Sequence, residues 1–402
     1  MKFLIKHSNV VFSDFVKKKD ILIENKKISK IEDSLEEKDA ELVEADGLFC
    51  MPGLIDIHVH LRDPGFLEKE TVETGAKAAA KGGVTSLCCM ANTKPTIDSL
   101  EHLKILQKKI EKEKINIFPI AAITKNLEGK ELVNFNELSK CVIGFSDDGF
   151  FITNTYLFKT AMERIKKLNL IAMSHCEDYL LLNDKASESV AVAKTIALSL
   201  STNCPVHICH VSTKESCILI KSAKKSGIKI TAETAPHYFM LTEEETKKQD
   251  ANFKMNPPLR SKEDKDAIEE AVLDGTIDCI ASDHAPHEAE KKKNFKTALN
   301  GVIGLQTLFS TTLTNFYHTK KTNLPFISRI LSTNPAKILK IKNRGEILKG
   351  NYGDLILVDL NKSYIFKKED IVSKSKNSPF LGKELKGKIL KTFSNGELIY
   401  SE

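Results

Sequence analysis

The chain has no run approaching the ~20 apolar residues that a membrane-spanning helix needs. Its first residues, 1–6, are too short an apolar run for a secretory signal peptide. The nine cysteines include no Cys-x-x-Cys pair, which argues against a structural zinc knot. Most lie inside apolar runs and are predicted to be buried free thiols, typical of a reducing compartment: Cys88, Cys89, Cys141, Cys176, Cys209 and Cys279. We therefore expect a cytoplasmic protein that does not enter a membrane.

The chain also lacks an arginine-rich face. Its net charge of +6 comes from scattered lysines, as at 17–19, 108–114 and 291–293, so nucleic-acid binding is not expected. No glycine-rich turn follows a predicted strand, since Gly82-Gly83 precedes one, and this argues against a dinucleotide-binding fold. A hydrophobic content of 41% and a charged content of 28% are typical of a globular protein in water.

From residue 51 onward, short apolar strands alternate with longer stretches of helical periodicity. Helical spacing is found in six stretches between Glu70 and Asp274, then over Gly304–Phe316 and Asn334–Leu339. The predicted strands are Leu54–His60, Thr85–Met90, Ile115–Ile123, Val142–Ser146, Leu170–Ser174, Val206–His210, Lys229–Thr234 and Cys279–Ser282. Eight strands alternating with helices predict a (β/α)8 TIM-type barrel over residues 51–344.

Both ends of the chain differ from this centre. Residues 1–50 and 345–402 contain short strands separated by charged turns, and Ser394-Asn395-Gly396 suits a hairpin. We expect these two ends to pack together as one small β-sandwich domain beside the barrel.

Polar residues concentrate where the barrel strands end, which is where such barrels place their active sites. His58 and His60 are two residues apart on one strand, so they point to the same face. Further candidates follow later strands: Asp147, Asp148, His175, His210, Asp283, His284 and His287. Four imidazoles and two carboxylates exceed the needs of one tetrahedral zinc. They fit two ions that share a bridging carboxylate and a water or hydroxide.

Several of these residues have more than one interpretation. One of Asp147 and Asp148 is expected to be a ligand and the other a loop carboxylate. His237 either lines the site or makes a hydrogen bond within its loop. Arg62 and Asn92, at the same rim, suit the binding of an acidic substrate, because an arginine fork pairs with a carboxylate; alternatively, Arg62 pairs with Asp63.

The chain resembles the dihydroorotases of the amidohydrolase superfamily, most closely the long bacterial type with an extra β domain. The resemblance spans nearly the whole chain. Its motifs are Asp56–Gly65, Met90–Thr93, Phe145–Gly149, Ser174–Glu177, Cys209–Thr213, Lys254–Arg260 and Ser282–His287. The chain departs from the family at Leu299–Val302, where Pro-Phe-Gly is usual, and it is shorter between His175 and His210.

The resemblance implies a role for each site residue. His58, His60 and Asp283 would hold one Zn²⁺, His175 and His210 the other, and Asp148 with a water or hydroxide would bridge the two ions of each subunit. Cobalt or manganese could substitute for zinc. Asp283 would also be the catalytic proton carrier. The residues implied to contact substrate are Arg62, Asn92, His287, Asn256, Asn300 and Gly301.

The implied reaction is the reversible conversion of N-carbamoyl-L-aspartate to L-dihydroorotate, the third step of pyrimidine formation. In the hydrolytic direction, hydroxide attacks the ring carbonyl, and Asp283 passes the proton to the leaving nitrogen. The family also implies a homodimer and permits a complex with aspartate transcarbamoylase.

Two alternatives remain. Hydantoinases and allantoinases use a carboxylated lysine on strand four where this chain has Asp148, and Arg62 and Asn92 also argue against them. A catalytically inactive subunit that serves as a scaffold for aspartate transcarbamoylase would lack several metal histidines, whereas this chain has every expected ligand.

Overall fold

At the start of the chain, the sequence predicts short strands separated by charged turns. The computed structural model describes residues 2–181 and 184–402. The first strand is longer than the short strands expected at this end of the chain, because a bulge at His7 (φ 60°) lets the chain continue without a turn. Asp20 stabilises the bulge by accepting a hydrogen bond from the His7 N–H at 2.7 Å. The N-terminal strands are β1 (Lys2–Val11), β2 (Val16–Glu24), β3 (Lys27–Glu32), β4 (Glu41–Glu44) and β5 (Phe49–Pro52).

Eight parallel strands follow and form the predicted barrel. They are β6 (Leu54–Val59), β7 (Val84–Cys89), β8 (Asn116–Ala121), β9 (Gly144–Phe145), β10 (Ile171–Ser174), β11 (Val206–Ile208), β12 (Ile230–Thr234) and β13 (Cys279–Ile280). Each strand pairs with the next one in the chain. A parallel bridge between Val59 and His284 joins the end of β6 to the segment after β13. The carboxyl ends of the strands therefore meet at one rim.

The helices lie between these strands and after them. They are α1 (Val72–Lys81), α2 (Leu100–Ile110), α3 (Phe135–Leu138), α4 (Thr155–Lys167), α5 (Ala186–Thr202), α6 (Lys214–Lys225), α7 (Pro236–Met240), α8 (Lys262–Leu273), α9 (Leu308–Thr312), α10 (Leu324–Ser328) and α11 (Asn334–Ile338). The side chains of Thr71 and Ser261 cap α1 and α8 by accepting hydrogen bonds from backbone N–H groups of the first turn.

The helix predicted over Gly304–Phe316 is shorter than expected. Only α9 is α-helical there, and a π-helical turn over Leu313–Tyr317 follows it. Gly304 packs instead against the loop after β13: its N–H donates to Nδ1 of His284 at 3.2 Å, and an added Cβ would lie 2.8 Å from the carbonyl oxygen of Ser282. This close backbone contact explains why the helix begins late.

The two ends of the chain join in one sheet. β14 (Leu355–Ile365) pairs with β5, and β15 (Glu384–Ser394) and β16 (Glu397–Ser401) extend the sheet in the order β16-β15-β14-β5-β1-β2-β3, with β4 beside β1. The predicted hairpin turn is confirmed: Asn395 and Gly396 have φ values of 50° and 73°, as a type I′ turn requires.

Alternate residues of β14 pack on opposite faces of this sheet. Leu355 and Leu357 join an apolar cluster of the terminal strands, in which the rings of Phe3 and Phe393 lie 5.3 Å apart. Ile356, the residue between the two leucines, joins the main apolar core with the barrel. The sheet from both ends therefore has its own core and also packs on the barrel.

All nine cysteines are free thiols, and eight are buried. The prediction for Cys141 was wrong: it is exposed, because it lies in the turn between α3 and β9. Within residues 2–181 and 184–402, no helix is long and apolar enough to cross a membrane.

Candidate active site

The carboxylate of Asp148 lies between two pairs of histidines. Its Oδ2 atom is 3.4 Å from Nε2 of His58 and 3.3 Å from Nε2 of His60. Its Oδ1 atom is 3.4 Å from Nε2 of His210 and 3.6 Å from Nδ1 of His175. Each carboxylate oxygen thus faces one pair of imidazoles, and all five side chains are buried. A carboxylate that bridges two cations needs this arrangement.

Asp283 completes the first pair. Its Oδ1 atom lies 3.3 Å from Nε2 of His60 and 3.6 Å from Nε2 of His58. The backbone of Asp283 is left-handed (φ 45°), which turns the chain sharply just beyond β13. His58, His60 and Asp283 form one of the clusters whose ligand atoms are close enough to hold a metal ion together, and His58, Asp148 and His210 form another.

The second pair shows why a cation fits here. Nδ1 of His175 and Nε2 of His210 are 2.8 Å apart, so at most one can carry the shared proton and the other must present a lone pair. Among the described residues, Nε2 of His58 and Oδ1 of Asp148 are buried without hydrogen-bond partners. Buried polar atoms of this kind are costly unless they are paired or bind a metal. The donor set therefore fits metal binding.

The pKa values of the two aspartates in the cluster are set by burial and by the neighbouring histidines. Burial would raise the pKa of Asp148, but the charge of His58 and the close contacts with His175 and His210 lower it well below its usual value. The pKa of Asp283 is also lowered, because a hydrogen bond with His60 and the charges of nearby histidines outweigh burial. Both carboxylates are therefore ionised at neutral pH and available as ligands.

Two further side chains orient the histidines of β6. Nδ1 of His58 contacts Oε1 of Glu233 at 2.5 Å, and Nδ1 of His60 contacts Oδ1 of Asn92 at 2.8 Å. Each contact leaves Nε2 pointing at the carboxylate cluster, as hydrogen bonds to the outer nitrogen of metal-binding histidines commonly do. Glu233 was not predicted from the sequence, because it lies inside β12, and the strand ends were the signal.

The other predicted residues line one cleft above the cluster, with a volume of about 310 Å³. Its walls include Arg62, Asn92, Asn256, His287, Asn300 and Gly301, together with His60, Asp148, His175, His210 and Asp283. His58 lies directly below, in contact with Asp148. The structure thus brings together the residues to which the family resemblance gives a role, whereas the candidate His284 contacts Glu70 instead.

Arg62 faces this cleft without a carboxylate partner. Within the described chain no carboxylate lies within 4.0 Å of its guanidinium; Asp63, the alternative partner, pairs with Lys109 at 2.8 Å. Burial lowers the pKa of Arg62 to about 10, so the side chain remains charged at neutral pH. Lys69 also lines the cleft and was not predicted. The cleft therefore offers positive charge to an acidic ligand.

His287 is neutral in the free protein. Burial, then the charges of Arg62 and Lys69, lower its pKa to about 3. Its Nε2 donates to the carbonyl oxygen of Asn300 at 2.8 Å, which leaves Nδ1 as a buried lone pair with no partner among the described residues. Opposite, Nδ2 of Asn256 donates to Glu177.

Geometry decides between the two neighbouring aspartates. Asp147 points away from the cluster: its Oδ1 accepts hydrogen bonds from the N–H groups of Ile123 and Thr124 at 2.7 and 2.9 Å. His207 is fully buried and contacts Thr231 at 2.9 Å, so it packs inside the barrel. Neither interpretation of His237 is confirmed: it is buried, it is not part of the cleft wall, and its Nε2 has no partner among the described residues.

Comparisons with known proteins agree with this arrangement. The profile of the Dihydro-orotase-like family matches residues 47–195. A protein of Staphylococcus epidermidis named dihydroorotase is 40% identical, over 99% of this chain and 99% of its own length. A dihydroorotase of Elusimicrobium minutum is 43% identical over 99% of this chain and 97% of its own.

Solved structures show the same fold. L-Hydantoinase (dihydropyrimidinase) from Arthrobacter aurescens superimposes with a TM-score of 0.91 at 24% identity, over 99% of this chain and 96% of that one. Dihydropyrimidinase from Brevibacillus agri gives a TM-score of 0.90 at 24% identity, over 100% of this chain and 95% of that one.

The barrel, the sheet from both chain ends and the buried cluster of histidines and aspartates define a cyclic amidohydrolase. Within that class, full-length relatives at 40% identity and above decide the family. The chain belongs to the dihydroorotase family.

Proposed function

We propose that the chain is a dihydroorotase, which interconverts N-carbamoyl-L-aspartate and L-dihydroorotate. The observation that carries this proposal is the position of Asp148 between two histidine pairs, below a cleft in which Arg62 has no carboxylate partner among the described residues. The names of the full-length relatives support it. The reaction closes or opens a ring amide next to a carboxylate, and the site offers groups for both parts of such a substrate.

The cluster would hold two zinc ions. His58, His60 and Asp283 would bind one, His175 and His210 the other, and Asp148 would contribute one oxygen to each. Imidazole and carboxylate ligands suit zinc. When bound, a pair of such ions lowers the pKa of a shared water toward neutrality and polarises the amide carbonyl.

Asp283 is the proton carrier of the proposed mechanism. Its ionised carboxylate contacts His60 and lines the cleft. In the hydrolytic direction it takes a proton from the attacking water and delivers it to the ring nitrogen as the amide bond breaks. In the direction of ring closure, the Asp283 carboxylate removes a proton from the carbamoyl nitrogen as that nitrogen attacks the side-chain carboxylate carbon, and it passes the proton to the oxygen that leaves as hydroxide.

The cleft walls would recognise the rest of the substrate. Arg62 would bind the carboxylate with two N–H donors, and Nδ2 of Asn92 would add a third, because Oδ1 of Asn92 is already used by His60. Asn256 would contact the pyrimidine ring, and the backbone of Asn300 and Gly301 would close its edge. His287 would complete the carboxylate site, since a bound anion favours protonation of Nδ1 and would raise the pKa that burial and the charges of Arg62 and Lys69 lower.

A panel of substrates tests the function. The purified protein should convert dihydroorotate and carbamoyl-aspartate, and it should act far more slowly on hydantoin and allantoin, which lack the carboxylate. Faster turnover of hydantoin or allantoin would favour the other cyclic amidohydrolases. No turnover of any of them by metal-loaded protein would favour the inactive scaffold subunit.

We also propose a division into domains, from the pattern of strands and helices, and an assembly, from the family resemblance. Residues 1–50 and 345–402 would form the small β domain, and residues 51–344 the catalytic barrel domain. The chain would form a homodimer in the cytoplasm, and a complex with aspartate transcarbamoylase is a further prediction. Light scattering of the purified protein, alone and mixed with that enzyme, measures both assemblies.

A further inference from the structure

A segment between β14 and β15 crosses from the terminal sheet to the mouth of the barrel. We call residues Ser373–Asn377 the crossing segment. It lies far along the chain from the residues that it contacts: the hydrogen bond from His287 to Asn377 spans 90 positions, and the one from Ser375 to Lys69 spans 306. The segment therefore joins the loops after the first and last barrel strands.

Asn377 makes its contacts with the loop after β13. Its Oδ1 accepts from the N–H of His287 at 3.2 Å, and its Nδ2 donates to the carbonyl oxygens of Gly301 at 3.0 Å and Ala285 at 3.3 Å. Its own carbonyl oxygen accepts from the N–H of Ile303 at 3.0 Å. The residue is only 4% exposed, so these bonds are shielded from water.

The rest of the crossing segment holds the loop after β6. Oγ of Ser375 donates to the carbonyl oxygen of Lys69 at 2.6 Å. The N–H of Lys374 donates to Oε1 of Glu70 at 3.0 Å, and the Ser373 hydroxyl donates to the same carboxylate. The loop after β6 also carries Arg62, and the loop after β13 carries His287. The crossing segment is therefore hydrogen-bonded to both loops that would bind the substrate carboxylate.

The loop at Gly301 has little room to adopt another position. Its φ of 137° lies outside the range that side chains with a Cβ adopt readily, and an added Cβ would lie 2.7 Å from the carbonyl oxygen of Ala285. A carboxamide suits this place because it supplies one acceptor and two donors from a single planar group. Replacing it leaves at least one buried carbonyl or N–H without a partner.

We propose that Asn377 is a positioning residue of the substrate site, holding His287 where it meets the acidic end of the substrate and Gly301 where it meets the ring. This inference rests on the proposed dihydroorotase function. Asn377 does not itself line the cleft. It acts through His287 and Gly301, so its loss should affect substrate binding more than the chemical step or the metal cluster.

The test compares Asn377→Ala and Asn377→Asp with the unmodified full-length protein. Alanine removes all three side-chain hydrogen bonds of Asn377. Aspartate keeps the oxygen that accepts from the N–H of His287, but its second oxygen cannot donate to the carbonyl oxygens of Gly301 and Ala285 and repels them. Each variant should raise the KM for dihydroorotate at least tenfold, change kcat less than threefold and keep the metal content of the parent. Asn351→Ala is the control, because it removes one hydrogen bond to Glu346 away from the cleft; it should leave KM unchanged.

Hydrogen–deuterium exchange gives a readout independent of turnover. In both Asn377 variants, amides of residues 285–303 should exchange at least tenfold faster, while those of β14–β16 keep the parental rate. A folded variant with a KM and exchange rates within twofold of the parent overturns the proposal. Unfolding or metal loss in both variants also overturns the proposal, since Asn377 would then serve the stability of the fold and not the position of the substrate site. If only Asn377→Ala unfolds, the KM and exchange rates of Asn377→Asp decide the test. An inactive parent would reject the dihydroorotase function. The exchange rates would still test whether Asn377 holds the loop at residues 285–303 in place.

Discussion

Glu233 and His58 form a buried contact of 2.5 Å between a carboxylate oxygen and Nδ1 of the imidazole. Burial would raise the pKa of Glu233, but the charge of His58 and hydrogen bonds with His207 and His58 lower it to about 2. An ionised acceptor at this place holds a proton on Nδ1, so the proton that His58 would give up to a metal ion is the one on Nε2, which faces Asp148. In the proposed metal site, the carboxylate would thereby fix the orientation of His58.

We expect Glu233→Gln to weaken metal binding by about tenfold or more, because a neutral amide makes His58 a poorer ligand. Competition with a chromogenic chelator measures the affinity. Glu131→Gln is the matched control, since Glu131 is exposed and pairs only with Lys125. Equal affinity in Glu233→Gln and the parent would contradict the role of this contact.

Asp283→Asn should retain metal but lose turnover of both dihydroorotate and carbamoyl-aspartate. General acid–base catalysis contributes about 10²–10⁴-fold, so kcat should fall by that factor in both directions. Steady-state kinetics with metal analysis of the same sample checks this. The exposed Asp266 provides the control substitution Asp266→Asn; near-normal rates in Asp283→Asn would remove its proposed role.

Arg62→Met should weaken the use of charged substrates selectively. A hydrogen bond to a charged group contributes about 1.5–3 kcal/mol, so kcat/KM for dihydroorotate should fall about 10- to 100-fold. Dihydrouracil, the same ring without the carboxylate, should lose far less. Arg62→Lys keeps the charge without the planar fork and should be intermediate. Equal losses with the two substrates would reject the carboxylate contact.

Glu70 should make part of the stability depend on pH. Burial would raise its pKa, but the hydrogen bond and charge of His284 and hydrogen bonds from Ser373 and Thr74 lower it below 4.5. A carboxyl group whose folded pKa is lowered stabilises the fold above its unfolded pKa, and the contribution is lost as pH falls through the folded value.

Thermal melts between pH 7 and about pH 2 test this dependence. At pH 7, Glu70→Gln should be less stable than the parent by about 1–3 kcal/mol of unfolding free energy, since a buried charged hydrogen bond is lost. The difference should hold down to about pH 5 and shrink as pH falls further, through the lowered folded pKa. Glu73→Gln, which removes a carboxylate from an exposed pair with Lys77, is the control. A difference that stays constant with pH would show that the Glu70 carboxylate does not titrate as argued.

The proposed metal ligands could be predicted because each lies at the end of an apolar strand or within three residues beyond it. In a parallel barrel all such positions meet at one rim, so His58, His175, His210 and Asp283 were expected to converge although they are far apart in the chain. Asp148 could be separated from Asp147 only by the family motif until the structure showed which carboxylate faces the histidines.

The supporting residues could not be predicted in the same way. Glu233 lies within β12, and the sequence does not indicate which strand neighbour its side chain contacts. Asn377 lies in a segment without periodicity, and its contacts with the loop after β13 depend on how the terminal sheet packs on the barrel. The late start of α9 depends on Gly304 meeting the backbone of Ser282, a tertiary contact without a local signal.

We expect two cations to flank Asp148. Anomalous diffraction from zinc-loaded crystals, recorded above and below the zinc absorption edge, locates such ions without reference to activity. Two peaks per chain are expected, one among His58, His60 and Asp283 and one beside His175 and His210, with Asp148 between them. A single peak elsewhere, or no peak in crystals of protein that still turns over dihydroorotate, would contradict it.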